Sequence, residues 1–251
     1  LQSLSINLPR LADQSNKDET YFRARLALMI KPALSAMSIR KKALIDLMRK
    51  GMLPTLASST QFMQLGTSNI VINLTGAKES VHDILGHDIN EGGIEILQKV
   101  LKTAVDVATD QGRQMGEDCV GIAMIYDDSA NRFASLDSDK YGKTSLMSSQ
   151  QGKLAYSQGL TINGRELISH DDNNKPRSII DKCNSIDKLL NGGLAINLDT
   201  NDLSSDMDMR NAIDAASDLQ FFRPVNKHMV CKNCGKRSGK DGSVRCEFCT
   251  S

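Results

Sequence analysis

The chain of 251 residues carries 31 basic and 30 acidic side chains, a formal net charge of +1, which excludes the visibly basic footprint of a general nucleic-acid binder. Hydrophobic residues make up 40% of it, aromatics 4%, with eleven Met and no Trp; this is the composition of an ordinary soluble globular protein whose aliphatic core fills one large domain. No run approaches the roughly 20 apolar residues of a membrane span, and no basic-then-apolar leader or initiator Met is present, so the sequence reads as cytoplasmic and as a piece of something longer.

In chain order, Leu4-Ser-Ile-Asn-Leu8 alternates apolar and polar and predicts a strand that stops at Pro9. From Asp18 the period changes. Phe22, Leu26, Ile30, Ala33, Leu34, Met37, Leu44 and Leu47 recur at helical spacing up to Gly51, which predicts one long helix or two that meet near Pro32. Asn69 to Leu74 is a β-branched strand ended by Thr75-Gly76. A short helix over 78–85, a loop over 86–93 and a longer helix over 94–114 follow, with Gly92-Gly93 taken as a helix breaker. Val120 to Ile125 is almost continuously apolar, the mark of a strand buried on both faces. Strand and helix alternate from Leu4 to Ile125, which predicts an α/β fold with a mostly parallel sheet or barrel and helices outside.

Beyond Ile125 the stretch 127–151 reads as polar loop around a compact segment at 131–137, and 170–176 as exposed. A helix is expected over 179–190, stopped by Asn191-Gly192-Gly193, then a strand over 194–198. A last helix over 207–219 precedes a hinge at Phe221-Phe222-Arg-Pro224. No internal repeat is visible.

The strongest chemical signal closes the chain. Cys231-Lys-Asn-Cys234 and Cys246-Glu-Phe-Cys249 are two Cys-x-x-Cys pairs across a loop rich in Gly, Lys and Ser. Each pair suits a turn that puts two thiolates about 3.5 to 4 Å apart, the edge of a tetrahedron with Zn–S of roughly 2.3 Å. Gly235 lets the backbone turn back with φ > 0. A disulfide framework is the alternative, but paired Cys-x-x-Cys in a chain without a leader favours a structural zinc held by four thiolates. The four histidines, His82, His87, His170 and His228, have no metal spacing, and His82 and His87, five apart, read as surface or capping residues. Cys119 and Cys183 read as packed thiols. Tyr126-Asp127-Asp128 directly follows the most buried strand, where parallel α/β sheets present functional side chains. The bland alternative for the two acids is a solvated Asx turn.

Leu4-Ser-Ile-Asn-Leu-Pro-Arg-Leu-Ala12, the helix with Lys31-Pro-Ala-Leu34, the segment Asn131-Arg-Phe-Ala-Ser-Leu-Asp137 with Tyr141-Gly142, and the closing Cys-x-x-Cys pairs together resemble the C-terminal half of anaerobic (class III) ribonucleoside-triphosphate reductase, in the archaeal style. The resemblance covers essentially the whole chain. It implies the second half of a glycyl-radical-type ten-stranded α/β barrel over residues 1–222 and a zinc-ribbon domain over 223–251. It also implies reduction of ribonucleotides to deoxyribonucleotides, strictly without oxygen and in the service of DNA replication, by a thiyl radical whose spin is stored on a glycine.

The expected partners are ribonucleoside triphosphates, nucleotide effectors including ATP, a radical-S-adenosylmethionine activating enzyme and the N-terminal part of the reductase, with a homodimer as the complete enzyme. The family's thiyl Cys falls upstream of Leu1 and its radical glycine beyond Ser251, so no catalytic residue is expected here and the glycyl radical belongs to the complete enzyme. The family's substrate-side Tyr-x-x-x-x-Glu matches Tyr126, but the spacing puts Asn131 where Glu is expected; Asp127 or Asp128 is the carboxylate left to replace it. The rival reading is a non-catalytic zinc ribbon that binds a protein or nucleic acid through Lys227, Lys232, Lys236, Arg237, Lys240 and Arg245.

Overall fold

The structure is a computed structural model that describes residues 2–54, 68–86, 91–142, 148–150, 153–168, 175–203, 205–226, 229–238 and 248–249. His87, His170, His228 and Cys246 lie outside the described residues. The chain divides into two compact units, residues 1–160 with 185–195, and residues 161–184 with 196–251.

The first unit is built on a parallel sheet of β1 (Gln2–Asn7), β2 (Ile70–Thr75) and β3 (Val120–Ala123), in that order. Helices α1 (Leu8–Gln14) and α2 (Glu19–Arg49) connect β1 to β2, and α3 (Ala77–Leu85) and α4 (Glu91–Met115) connect β2 to β3. The register sets Ile6 beside Leu74 and Ile72 beside Ile122, so the apolar sides of adjacent strands align. Phe22, Leu26, Ile30 and Leu34 from α2 and Leu97, Leu101, Ala104 and Ala108 from α4 are buried with Ile70, Ile72 and Leu74 of β2. This is the alternating α/β pattern expected from the sequence.

Several boundaries differ, each for a local reason. Pro9 does not end a strand in open chain but sits in the first turn of α1, where its missing N–H is one the helix leaves unpaired anyway. Pro32 lies inside a single 31-residue α2, so the one-helix alternative holds. Gly92 and Gly93 fall in the first turn of α4 rather than breaking it. The stretch expected as loop after Ile125 contains a 13-residue helix, α5 (Ser129–Tyr141). Its buried face is only Ala130 and Ala134, too small a stripe to give a strong helical period.

After α5 the first unit adds a hairpin of β4 (Ser148–Gln150) and β5 (Lys153–Ala155). Asn191-Gly192-Gly193 stops a helix as expected but also extends the sheet along β3. The Asn191 side chain accepts from the Ile122 N–H at 2.8 Å and donates to the Val120 carbonyl at 3.0 Å, while the Gly192 N–H donates to the Ile122 carbonyl at 2.9 Å. A Cβ on Gly192 would stand 2.8 Å from the Ile122 backbone, so the close approach needs glycine there.

The second unit contains a sheet of β6 (Leu160–Asn163), β7 (Ile196–Asp199) and β8 (Arg223–Val225) in that order, β7 and β8 being parallel. The stretch read as a hinge therefore contributes a strand. Short helix α6 (Gly164–Leu167) follows β6; α8 (Asp206–Ala215), capped by Ser205, and a 3-10 turn (Ala216–Asp218) precede β8. The remaining helix, α7 (Lys175–Leu189), starts in the second unit and ends in the first. A small antiparallel pair, β9 (Met229–Val230) and β10 (Arg237–Ser238), leads the cysteine-bearing tail. Among the described residues no helix is long and apolar enough to cross a membrane.

Candidate functional site

Polar side chains gather at the C-terminal ends of the three parallel strands of the first unit. They come from Ser5 and Asn7, which alternate with Leu4 and Ile6 on β1, and from Asn73 and Thr75, which flank Leu74 on β2. Asn73 is fully buried, so its amide must find partners inside the protein. Its Nδ2 donates to the Ile125 carbonyl at 3.1 Å and its Oδ1 accepts from the Ile125 N–H at 2.9 Å, which prolongs the β2–β3 contact past the end of β3.

The same Nδ2 donates to Asp127 Oδ2 at 2.8 Å, and that carboxylate is the hub of the cluster. Oδ2 also accepts from the Ser5 hydroxyl; Oδ1 accepts from the Ser129 N–H at 2.9 Å, from the Ser129 hydroxyl and from Gln158 Nε2 at 2.8 Å. Ser129 is joined to Thr75 through their hydroxyls at 2.7 Å. The bond to the Ser129 N–H is an Asx turn, as the bland reading had it, but the group is half-buried and enclosed by donors rather than solvated. Burial alone would raise its pKa; the hydrogen bonds from Ser129, Ser5 and Asn73 outweigh that and hold it below the ordinary carboxylate range. Asp128 is exposed, and so is Asn131.

Tyr126 lies between Ile125 and Asp127. Its side chain is half-buried and its hydroxyl oxygen is shielded from solvent.

Two further carboxylates close the neighbourhood. Asp137 of α5 accepts from Asn7 Nδ2 at 2.7 Å and from the buried Tyr156 hydroxyl at 2.9 Å; burial, then that bond, push the Tyr156 phenol well above its usual pKa. Glu79 of α3 accepts from the Ser157 N–H at 2.7 Å and hydroxyl at 2.5 Å. At the outer rim, Arg10 stacks on the Tyr141 ring at 3.4 Å beside a cavity of about 570 Å³, where the charges of Arg10 and Lys140 are matched by those of Asp137 and Asp139.

Of these residues the sequence pointed to Tyr126 and Asp127 and missed Ser5, Asn7, Asn73, Thr75, Glu79, Ser129, Asp137, Tyr156, Ser157 and Gln158. Asn73 carried a legible signal, a lone polar residue in the run Ile70-Val-Ile-Asn-Leu74.

A second cluster lies in the tail. The sulfurs of Cys231, Cys234 and Cys249 are all within 4.8 Å of one another, a spacing that can hold a metal ion. Cys231 and Cys249 are 3.6 Å apart at sulfur, far beyond a disulfide bond length. The Gly235 N–H donates to the Cys231 carbonyl at 2.9 Å and Gly235 has φ +67°, the turn expected of the first pair. Cys183 is buried, and burial raises its thiol pKa to about 11, which fits a packed thiol. Cys119, half-exposed, directly precedes β3. His82 sits near the end of α3.

Residues 1–251 match the family model for anaerobic ribonucleoside-triphosphate reductase. No curated protein sequence matches the chain. Among solved structures it is similar to the anaerobic ribonucleotide reductase from Thermotoga maritima with glycerol in the active site, with a TM-score of 0.65 and 20% identity over 99% of this chain and 38% of that one. The same protein in complex with dATP and CTP gives a TM-score of 0.64 at 20% identity, covering 99% of this chain and 39% of that one. A further anaerobic ribonucleotide reductase structure gives 0.66 at 19% identity, covering 99% and 38%. At these identities the likeness speaks to the fold, and the chain spans less than two fifths of the length of the first of these structures.

Proposed function

The chain belongs to the anaerobic ribonucleoside-triphosphate reductase family, and from that premise we propose that it forms the C-terminal part of an enzyme that reduces ribonucleoside triphosphates to deoxyribonucleotides by thiyl and glycyl radical chemistry. Residues 1–222 would be the second half of a ten-stranded α/β barrel, a reading supported by the parallel order of β1, β2 and β3 with helices between them. Tyr126 would belong to the substrate pocket. The observation that carries this is the convergence of Ser5, Asn73, Thr75, Asp127 and Ser129 at the C-terminal ends of these strands, directly beside Tyr126. In parallel α/β folds that end is where ligands bind.

Residues 223–251, which begin with β8 on the β7 edge, would carry a zinc ribbon in which Cys231, Cys234 and Cys249, joined by Cys246, hold one Zn2+. The sulfur-only donor set and the spacing of the three described sulfurs fit that ion. Four thiolates leave no open position, so the metal would stabilise the tail without taking part in the reaction.

The test uses the complete protein that carries these residues, purified without oxygen and treated with a radical-S-adenosylmethionine activating enzyme. Formation of a deoxyribonucleotide from a ribonucleoside triphosphate, with an organic radical visible by electron paramagnetic resonance, is the expected result. Neither product nor radical overturns the reading.

A further inference from the structure

The sequence leaves Asp127 and Asp128 as equal candidates to supply a carboxylate near Tyr126, and the hydrogen bonds separate them. We propose that Asp127 is a positioning residue for Tyr126: an anionic anchor that, with Asn73, fixes the backbone on both sides of the tyrosine and exchanges no proton during the reaction. The inference rests on the reading of Tyr126 as a pocket residue.

The geometry argues it in two steps. First, both carboxylate oxygens of Asp127 are fully engaged as acceptors. Ser5 and Asn73 donate to Oδ2, and Ser129, through N–H and hydroxyl, and Gln158 donate to Oδ1. The donors come from β1, β2, the first turn of α5 and the segment after β5, and none of them titrates or carries charge. A proton on either oxygen would cost at least one of these bonds and would have to turn a serine hydroxyl from donor to acceptor, so the site favours the anion. A group that must cycle a proton needs the opposite, a carboxyl of balanced affinity with an open lone pair.

Second, the bonds fall on the two residues that flank Tyr126. Asn73 holds both backbone groups of Ile125, and Gln158 Nε2 holds the Asp127 carbonyl at 2.8 Å as well as its side chain. With residues 125 and 127 both tied, the course of the backbone through Tyr126 is held by Asn73 of β2 and by Gln158 of the segment after β5. This kind of support keeps a reacting geometry to within a fraction of an ångström.

The experiment has two arms. In the first, the chain is labelled with 13Cζ-tyrosine, and the Tyr126 signal is assigned by its loss in Tyr126→Phe. Asp127→Asn, which keeps the shape but removes the charge, is expected to move the Tyr126 signal and leave those of the exposed Tyr21 and Tyr141 in place. In the unsubstituted chain the Tyr126 signal is expected to stay flat from pH 8 to about pH 4.5, above the ordinary range of an aspartate. A titration between those limits that disappears in Asp127→Asn overturns the proposal, and so does an unmoved Tyr126 signal. If Asp127→Asn does not fold, Ser5→Ala, which removes one donor, is read in the same way.

The second arm measures the complete reductase. Asp127→Asn is expected to lower kcat about tenfold or more with KM for the ribonucleotide little changed, and to keep the shape of the pH–rate profile. Loss of one limb of that profile makes Asp127 a proton-transfer group and overturns the proposal. Failure of the underlying reading looks different: Tyr126→Phe would then be fully active while the coupling in the first arm persists.

Discussion

The side chain of Asn73 holds Ile125 by both of its backbone groups, accepting from its N–H at 2.9 Å and donating to its carbonyl at 3.1 Å. One buried amide thus replaces a rung of β-ladder where β3 has ended, and its second N–H bond goes to Asp127. Asn73→Asp keeps the shape but sets a carboxylate against the Asp127 carboxylate and the Ile125 carbonyl. Burial and the neighbouring charge would raise the folded pKa of the new acid, so the cost grows as pH rises toward that value. The expected loss is about 3 kcal/mol or more at pH 8 and smaller at pH 5. Urea denaturation at the two pH values checks it, and an equal loss at both contradicts the argument.

Lys41 and Glu117 form a buried ion pair at 2.6 Å, with side chains 4% and 3% exposed, and Ser38 donates to the second carboxylate oxygen at 2.7 Å. The pair pins α2 to the turn between α4 and β3. Lys41→Met leaves a buried carboxylate short of its charged partner, and an unfolding loss of about 3–5 kcal/mol is expected. Lys41→Met with Glu117→Leu removes both charges and is expected to recover most of that loss.

The same pair gives a pH signature. Burial pushes the Glu117 pKa up, but its bonds to Lys41 and Ser38 outweigh this and the net shift is down. A depressed carboxylate contributes stability that is present above its unfolded pKa of about 4.3 and lost as pH falls through the lower folded value. The stability difference between the unsubstituted protein and Glu117→Gln should therefore be flat above about pH 5 and shrink below about pH 4. A difference that holds constant through that range rejects the assignment.

What could be read from the sequence follows the range of the forces involved. The strands β1, β2 and β3 and the helices α2 and α4 announce themselves because their periodic apolar faces are local patterns: Phe22, Leu26, Ile30 and Leu34 are spaced for one helical stripe and are all buried. The Cys231 and Cys234 turn is local too, and the structure forms it. Helix α5 was hidden because two alanines are its only buried side chains. Lys41 carries no local signal of its burial, since the acid that neutralises it lies 76 positions away. The donors around Asp127 are serines and amides, residue types at home on any surface; only the pairing of β1 with β2 and β2 with β3 brings them together. Tyr126 and Asp127 could be singled out because they follow a strand whose burial is itself a composition signal.

Cys234→Ser tests the tail. If the cysteine cluster binds zinc, the purified chain is expected to contain one zinc per chain and the variant almost none, with the β9–β10 pair opening to proteolysis while the first unit melts as before. Structural zinc sites bind with about 10–16 kcal/mol in small peptides and lose that binding when a thiolate is removed. Unchanged zinc content in the variant rejects Cys234 as a ligand. Cys246→Ser, scored in the same way, tests the fourth ligand.

Tyr126→Phe is the sharpest test of the substrate pocket. The substitution removes one oxygen whose surroundings already shield it from solvent, while the backbone on either side stays tied by Asn73 and Gln158. The fold should therefore be nearly unaffected, with a change in unfolding free energy of less than about 1 kcal/mol. If the hydroxyl meets the ribonucleotide, however, its loss falls on the transition state. Turnover by the complete reductase is expected to drop at least about tenfold, equivalent to about 1.4 kcal/mol of barrier. A variant with full turnover and full stability makes Tyr126 an ordinary strand-end residue, and a variant that loses stability in step with activity assigns the hydroxyl to the fold rather than to the reaction.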